Sequence, residues 1–332
     1  MKGWKGSLRI GVALAIFAWA GCGGAGSEAK KPDAQDVASV DAEPKDMGTR
    51  ADLPDAQAEE PPLVVMTYNV LCSFCNKEFD PWEQRLGYFA DIIARHDPDL
   101  IGLQELFLGE EVEQIAAASP GYAALWWQDD EQVYFKDYAD SVILYRVSKF
   151  EVVENGYYWL SETPDEPLSG GWADANLPRL VAWAVLRRLS DGLELYFAST
   201  HFDNNPPNQE MSAPLFVERT AAFARNMPAI VVGDFNSKPD SPAYAVLTAK
   251  HEETGGQLLN TFEEATAWSV DSNQDPLPAY EPAHRIDHIF VAGADWAVPI
   301  WTVDTWVYGA SQMYPSDHLA MIAVVALGVG PQ

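Results

Sequence analysis

Positive charge is scarce in this chain of 332 residues. Lys and Arg together number 21 against 49 Asp and Glu, and the formal net charge at pH 7 is −28. Proteins that bind nucleic acid without sequence preference neutralise many phosphates with Lys and Arg, so the composition argues against a broad polyanion-binding surface. A single phosphate pocket remains compatible with it, because a bound divalent cation can reverse the local electrostatic potential.

Cysteine is scarce as well. After Cys22, only Cys72 and Cys75 remain. A Cys-x-x-Cys pair without a second pair nearby is weak support for a zinc site. In an oxidising compartment the two thiols can close a small disulfide loop, and free thiols are the alternative.

Long apolar runs are also rare. The stretch from Ile10 to Trp19 is too short to span a bilayer as a permanent helix. Basic residues precede it, which is the arrangement of a secretory signal. Its end, Trp19-Ala20-Gly21-Cys22, resembles the lipobox of bacterial lipoproteins, although Trp19 stands where Leu is usual. The basic residues are Lys2, Lys5 and Arg9.

Residues 1–22 are therefore expected to be a lipoprotein signal peptide with Cys22 as the lipidated residue; an ordinary cleaved signal is the alternative. Gly23 is not the Asp that often retains lipoproteins at the inner membrane. We expect an exported protein that is lipid-anchored to the cell envelope, in the outer membrane of a Gram-negative bacterium. Residues 23–62 carry ten acids against four bases and have no apolar periodicity, which predicts a disordered tether.

The remaining residues, 63–332, are expected to form one folded domain. Leu63–Asn69 and Leu100–Glu105 have the apolar character of buried strands, and helical spacing runs from Trp82 to His96, before Pro98. Strands outnumber helices, and their apolar runs indicate sheets that are covered on both faces. Further strands are predicted at 142–145, 180–186, 195–200, 229–234, 286–291 and 319–327, and a further helix at 216–227.

Polar residues stand where these apolar runs begin or end. One strand that ends in Asp is commonplace, but a whole set drawn from Asn, Asp, Glu and His is poorly explained by caps and turns. The set is therefore a candidate functional site. It comprises Asn69, Glu105, His201, Asp234, Asn236, Asp287, Asp317 and His318.

The motifs around these residues resemble those of the endonuclease/exonuclease/phosphatase superfamily, in the same order and at plausible spacings. The resemblance runs from about residue 63 to 327; each motif is weak alone, and together they are specific. It implies an α/β fold, a four-layer sandwich in which two mixed β-sheets pack face to face with helices on the outer faces. The motifs are Thr67-Tyr-Asn-Val70, Ile101-Gly-Leu-Gln-Glu105, Ser199-Thr-His-Phe-Asp203, Val232-Gly-Asp-Phe-Asn236, Arg285-Ile-Asp287 and Ser316-Asp-His318.

Phosphoester hydrolysis requires a divalent cation, an in-line water and donors to the phosphate oxygens. Mg²⁺ prefers hard oxygen ligands and is usually held by one or two carboxylates. We expect Mg²⁺, with Mn²⁺ as the alternative, bound by Glu105 with Asn69 beside it and Asp317 as a further ligand, direct or through water. Asp234 is expected to take or direct the proton of the attacking water, and Asn236 to hold that geometry and contact the phosphate.

His201 and His318 are expected to donate to phosphate oxygens and so to stabilise the charge of the transition state. Asp287 is expected to orient His318 and keep it protonated, since a nearby carboxylate favours the imidazolium. Arg179 suits a bidentate phosphate contact. The histidines that match no motif and are expected to be structural or exposed are His96, His251 and His284.

Two departures from the family pattern leave the partner of His201 open. Asn204 stands where related sequences often have His, and Asp140, displaced by one residue, stands near the position of their Glu. Asp203 is a further candidate partner, with a solvated turn residue as the alternative. Neither departure touches the proposed metal ligands or Asp234.

The leading functional expectation is hydrolysis of a phosphodiester, as in a nuclease. The alternatives are a phosphatase or phospholipase that acts on an inositol phosphate- or sphingomyelin-type substrate, which the acidic composition favours somewhat, and a non-catalytic binding lipoprotein that keeps the fold. The expected partners are accordingly a phosphoester, either a nucleic acid or a small or lipid phosphate, and the membrane through the lipid anchor. No protein partner is implied.

Overall fold

The computed structural model describes residues 60–328 apart from residues 76, 129–137, 173 and 252–255. The predicted signal peptide, Cys22 and nearly all of the tether lie outside the described residues. Within the described part of the chain, no helix is long and apolar enough to cross a membrane.

The domain contains thirteen strands and five α-helices in the described residues. Together they form the elements β1 (Leu63–Asn69), α1 (Trp82–His96), β2 (Leu100–Leu106), α2 (Gly109–Ala118), β3 (Tyr122–Leu125), β4 (Asp140–Arg146), β5 (Phe150–Trp159), β6 (Leu180–Arg188), β7 (Glu194–His201), α3 (Pro206–Ala224), β8 (Ala229–Asp234), α4 (Pro242–Thr248), β9 (Leu259–Asn260), α5 (Thr261–Glu264), β10 (Ala265–Asp271), β11 (Asp287–Ala292), β12 (Trp296–Asp304) and β13 (Met321–Leu327).

The strands form two mixed sheets. The first has seven strands in the order β10-β12-β13-β1-β2-β4-β3, and the second has six in the order β5-β6-β7-β8-β11-β9. Parallel pairs β1–β2 and β7–β8 are embedded among antiparallel neighbours. This confirms the fold class predicted from the sequence.

Three buried apolar clusters separate the layers. The central one, which includes Val65 and Ile230, lies between the two sheets. A second includes Phe216 of α3 and packs that helix on the six-stranded sheet, and a third includes Phe89 of α1 on the outer face of the seven-stranded sheet. The four layers therefore follow from apolar residues on both faces of each sheet.

A glycine allows the two sheets to approach each other closely near the ends of β1 and β2. A Cβ atom added at Gly102 would lie 2.2 Å from Cγ2 of Val232 on the opposite sheet. Any larger residue would push the sheets apart at this point, close to the strand ends that carry the candidate site residues.

The first helix is as predicted, whereas the prediction for the third was too short. In α1, Asp97 caps the last turn in a left-handed conformation with φ 46°, and Pro98 then prevents the helix from continuing. By contrast α3 begins at Pro206, well before the predicted start at residue 216, because its two leading prolines fit the first helical turn.

The open question about the thiols is decided by a disulfide between Cys72 and Cys75, whose Cα atoms lie 5.2 Å apart. The disulfide closes a short loop directly after β1. It therefore lies close in sequence to Asn69, the last residue of that strand.

Candidate active site

A β-bulge turns Glu105 toward the predicted site. The register between β2 and β4 shifts between Gln104 and Leu106, so Glu105 is the extra residue, and its φ of 66° lies in the left-handed region. Gln104 contacts Ser199 of the opposite sheet, and Leu106 packs in the core under the helices. Bulges commonly re-aim a side chain next to an active site, and here the bulge brings Glu105 to Asn69.

Asn69 links the two sheets through its side-chain amide. Its Nδ2 donates to Glu105 Oε1 at 3.0 Å and to Asp234 Oδ2 at 3.1 Å, and its Oδ1 accepts from the Leu71 amide at 3.1 Å. The side chain is fully buried. In this orientation Asn69 holds the two carboxylates through its nitrogen, while its predicted role as a metal ligand stays a prediction.

Three site residues occupy one row across the six-stranded sheet. His201 of β7 pairs in register with Asp234 of β8, and Asp234 pairs with Asp287 of β11. The parallel order of β7 and β8 and the antiparallel entry of β11 bring the end of two strands and the start of a third to the same edge. This explains how motifs far apart in sequence form one site.

Asp140 is the carboxylate partner of His201. Asp140 is fully buried with φ 41°, and its Oδ1 lies 2.9 Å from His201 Nδ1. Burial favours the neutral acid, but the charges of His201 and Arg179 keep the pKa of Asp140 below its ordinary value. The other candidate, Asp203, accepts instead from the backbone amides of residues 176 and 205.

Arg179 lies behind His201 and pairs with the same carboxylate. Its Nη1 is 3.3 Å from Asp140 Oδ2 and 2.7 Å from His201 Nδ1. The His201 Nδ1 atom can donate to Asp140 or accept from Arg179, but it cannot do both. The buried Arg179 side chain thus neutralises Asp140, and its predicted phosphate contact stays a prediction.

His318 and His201 both face the carboxylate of Asp234. Its Nδ1 lies 2.8 Å from Asp287 Oδ2, and its Nε2 lies 3.7 Å from Asp234 Oδ2. Burial disfavours the imidazolium, but the carboxylates of Asp287 and Asp234 outweigh it and raise the pKa of His318 to about 11. His201 Nε2 lies 3.4 Å from the same Asp234 oxygen, so two imidazole nitrogens converge on one point.

Asn236 shapes the loop that follows β8. It has φ 48°, its backbone amide donates to Asp234 Oδ1 at 2.9 Å, and its side-chain Nδ2 donates to the Phe202 carbonyl at 3.0 Å. Asn tolerates the left-handed region better than most residues. Asn236 therefore fixes the second oxygen of Asp234, while Asn69 fixes the first.

The donor set fits a hard divalent cation. Carboxylate oxygens of Asp234 and Asp287 lie within 4.8 Å of each other, and the buried Asp287 Oδ1 has no hydrogen-bond partner in the described part of the structure. Glu105 is half-buried and Asp317 is exposed. Carboxylate oxygens that reach solvent suit Mg²⁺, which usually keeps several waters.

Sequence reasoning missed two residues that support the site. His288 bonds through Nε2 to the Ser237 carbonyl at 2.8 Å, just beyond Asn236. Arg85 lies on the buried face of α1, between Trp82 and Phe89 in helical spacing. A lone Arg on an otherwise apolar helix face was a signal available in the sequence.

A second acidic group, away from these residues, is structural. His96, Asp271 and Asp304 bring ligand atoms within 4.8 Å of one another. Arg95 forms ion pairs with both carboxylates and so offsets part of their charge. The prediction of a structural role for His96 agrees with this arrangement.

Known proteins share the fold described above. Residues 66–318 match the model of the Endonuclease/Exonuclease/phosphatase family. A solved family protein from Bacteroides thetaiotaomicron is 31% identical, with 81% of this chain and 100% of that chain covered and a TM-score of 0.68. A mannosyl-6-phosphatase from the same species is also 31% identical, with 80% and 100% covered and a TM-score of 0.68.

Proteins of lower sequence identity support fewer conclusions. The human Nocturnin catalytic domain is 18% identical over 81% of this chain and 95% of its own, with a TM-score of 0.59, which shows a shared fold alone. An uncharacterised protein of Acanthamoeba polyphaga mimivirus is 24% identical over 197 residues, or 50% of this chain. The match covers only 29% of that curated relative.

Proposed function

This chain belongs to the endonuclease/exonuclease/phosphatase family, and from that premise we propose that it is a divalent-metal-dependent phosphatase. The proposed substrate is a small phosphomonoester, and the first class to test is a sugar phosphate. The choice of a small substrate rests on the pairing of the arginines with carboxylates, because a polynucleotide needs free cationic side chains along its path.

Carboxylates pair with almost all of the described arginine side chains. Among the arginines that the structure describes, all except Arg85 form an ion pair with Asp or Glu, and Arg85 is buried against backbone carbonyls. The chain as a whole carries a net charge of −28. A surface with this balance disfavours a long polyanion and is compatible with one phosphate group in a pocket.

The relative named as a mannosyl-6-phosphatase supports the same choice. It is 31% identical over its entire chain, which is closer than the likeness to Nocturnin at 18%. A sugar 6-phosphate places one phosphoryl group on a neutral body. Such a substrate avoids the repulsion that the acidic surface would impose on a polymer of phosphates.

The side chains divide the chemistry among them. Asp234, which is 1% exposed and held at both oxygens, would accept the proton of the attacking water. Protonated His318 donates through Nε2 to a phosphate oxygen, and His201 donates from the opposite side. A divalent cation held by Glu105 and Asp317 would polarise the phosphoryl group and offset its charge.

The experiment is a comparison of substrates with the purified protein. Phosphate release from mannose 6-phosphate and p-nitrophenyl phosphate is measured beside cleavage of bis(p-nitrophenyl) phosphate and single-stranded DNA, each with Mg²⁺ and with EDTA. We expect turnover of the monoesters, loss of turnover in EDTA, and a matched loss in Asp234→Asn.

Two other outcomes have a definite meaning. Faster cleavage of the diesters would support the nuclease-like activity first expected from the sequence and would overturn the phosphatase proposal. Silence on every phosphoester at saturating Mg²⁺, with the protein folded, would favour a non-catalytic binding lipoprotein.

A further inference from the structure

Arg85 makes an unusual set of contacts for a buried arginine. It lies near the start of α1, is 1% exposed, and directs its guanidinium to five backbone carbonyls. Every other arginine in the described residues has a carboxylate partner. A planar guanidinium carries five N–H donors in a fixed fork, and in Arg85 these donors bind backbone carbonyls.

Four of the five carbonyls belong to the two loops next to site residues, and the fifth is that of Asp80, just before α1. Nη1 donates to Val70 and Leu71, at 2.7 and 2.8 Å, and Nη2 donates to Cys72 at 3.0 Å. These residues follow Asn69 directly. Nη1 also lies 3.2 Å from the carbonyl of Pro315, which is followed by the Ser316-Asp317-His318 motif.

From the first loop, the contacts lead into the site. Leu71, which Arg85 holds by its carbonyl, has φ 52° and donates its amide to Asn69 Oδ1 at 3.1 Å. That bond fixes the Asn69 amide so that Nδ2 faces Glu105 and Asp234. Without the hydrogen bond from Arg85 to its carbonyl, Leu71 could leave its strained conformation, and Asn69 would lose its fixed orientation.

From the second loop, the contacts lead to the imidazolium. Ser316 follows Pro315, and its Oγ donates to the Asn69 carbonyl at 2.7 Å and accepts from the His318 amide at 3.2 Å. Two sets of hydrogen bonds therefore join the loops. One is made by the Ser316 hydroxyl, and the other by the Arg85 guanidinium. The Cys72–Cys75 disulfide restrains the first loop independently.

We propose that Arg85 is a positioning residue of the phosphoesterase site, which sets the separation of the loop at 70–72 from the loop at 315–318 and thereby the geometry of Asn69, Glu105 and His318. The inference rests on the proposed function for its catalytic readout. Its structural and metal-binding readouts are independent of which phosphoester is cleaved.

The variant Arg85→Lys keeps the charge but loses the fork. An ammonium is a compact charge with three donors, so several carbonyls lose their partner while the cation remains. Loss of a group that orients metal-binding residues typically lowers metal affinity or activity by about 10- to 100-fold. We expect Arg85→Lys to weaken Mn²⁺ binding, measured by electron paramagnetic resonance, by about 10-fold, and to lower kcat more than it raises KM.

The matched control is Arg219→Lys, which alters an arginine whose partner Asp165 is exposed. It should keep wild-type Mn²⁺ affinity and kcat. Should folded Arg85→Lys, judged by circular dichroism, also keep both, the proposal is overturned and Arg85 is a residue of stability alone. If no substrate is turned over by the wild type, Mn²⁺ affinity still decides the role of Arg85.

A wild-type measurement guards against a variant that does not fold. If Arg85 joins the loops, the amides of Leu71 and His318 should exchange with deuterium in one cooperative opening, with the same dependence on denaturant. Mn²⁺ or Mg²⁺ should slow both together. Exchange of the two amides by separate openings of clearly different free energy would overturn the proposal.

Discussion

His318 donates its Nδ1 proton to Asp287 at 2.8 Å, which leaves Nε2 directed toward Asp234. Nδ1 of the ring is therefore held by Asp287, and Nε2 remains available to a substrate. Because Asp287 and Asp234 together overcome the cost of burial and raise the pKa of His318 to about 11, the ring is an imidazolium across the physiological pH range. It can therefore donate to phosphate without first collecting a proton.

Asp287→Asn should move the alkaline limb of the pH–rate profile to lower pH. The substitution removes the largest charge that raises the pKa of His318, so burial, Asp234 and Asp317 determine the new value. The wild type should keep its His318 proton until the pH approaches 11. A titration of the His318 ring by NMR, beside kcat, tests both statements when both are followed from pH 6 up to about pH 11.

The control for that series is His318→Gln, which has no ring to titrate. It should lower kcat by about 10²–10³-fold, the usual loss for one donor to a developing charge, and should lack the shifted limb. An alkaline limb in Asp287→Asn that coincides with the wild type would show that Asp287 does not govern the protonation of His318.

Asp140→Asn should destabilise the fold strongly. Asp140 is fully buried beside Arg179, whose side chain is 9% exposed, and removal of one partner leaves a buried charge without compensation. Such a loss typically costs about 3–5 kcal/mol. The free energy of unfolding from urea titration at pH 7 measures it.

The comparison for Asp140→Asn is Glu151→Gln, which breaks an exposed pair with Arg187. Exposed pairs typically contribute about 0–1 kcal/mol. Because the pKa of Asp140 is lowered in the fold, its contribution should be present above the ordinary carboxyl pKa and should vanish as pH falls through the lower folded value. Equal losses in the two variants at pH 7 would contradict the assignment.

The sequence predicted which polar residues lie near one another because the strands are easy to recognise. Runs such as those of β1 and β8 are mostly apolar, since both faces of each sheet are covered. The polar residues at their ends then stand out. Asn69 and Asp234 were predicted in this way, and the hydrogen bond between them joins the two sheets.

Other features could not be predicted because they depend on tertiary contacts. The bulge that turns Glu105 follows from the register of β2 against β4, and the left-handed conformation of Asp140 is stabilised by partners distant in sequence. The start of α3 was misplaced because the apolar pattern begins only at residue 216. Spacing alone does not separate Asp140 from Asp203, so the sequence does not decide which of them is the partner of His201.

Cys22 lies outside the described residues, and its lipidation is a proposal drawn from the lipobox-like sequence. Cys22→Ala should leave the precursor unprocessed by lipoprotein signal peptidase or misplaced among the cell fractions. Metabolic labelling with palmitate and fractionation of the cells measure the two effects. Processing and fractionation like those of the wild type would point to an ordinary cleaved signal.

His288 should make the fold less stable in acid. Burial lowers the pKa of His288 to about 3, while the unfolded chain has a value near 6.5. Between these values the unfolded state binds more protons, so stability falls as pH falls, by up to about 1.4 kcal/mol per pH unit from this group.

His288→Gln should flatten this dependence, because the amide can donate and accept but does not titrate. Unfolding free energies at pH 7 and pH 4.5 measure the difference, and the exposed His284→Gln should keep the wild-type slope. An unchanged slope in His288→Gln would assign the acid sensitivity to other groups.

The last prediction separates Glu105 from Asp234, which Asn69 holds by the same amide nitrogen. Glu105 is half-buried and open to a metal, whereas Asp234 is 1% exposed and fixed at both oxygens. Glu105→Gln should weaken metal binding, so that raised Mg²⁺ restores part of kcat. Asp234→Asn removes the proton acceptor, which should cost about 10²–10⁴-fold, and no concentration of Mg²⁺ should restore it. Titration of kcat against Mg²⁺ tests both variants. Rescue of Asp234→Asn but not of Glu105→Gln would mean that the metal ligand and the base are exchanged, since only a ligand defect yields to mass action.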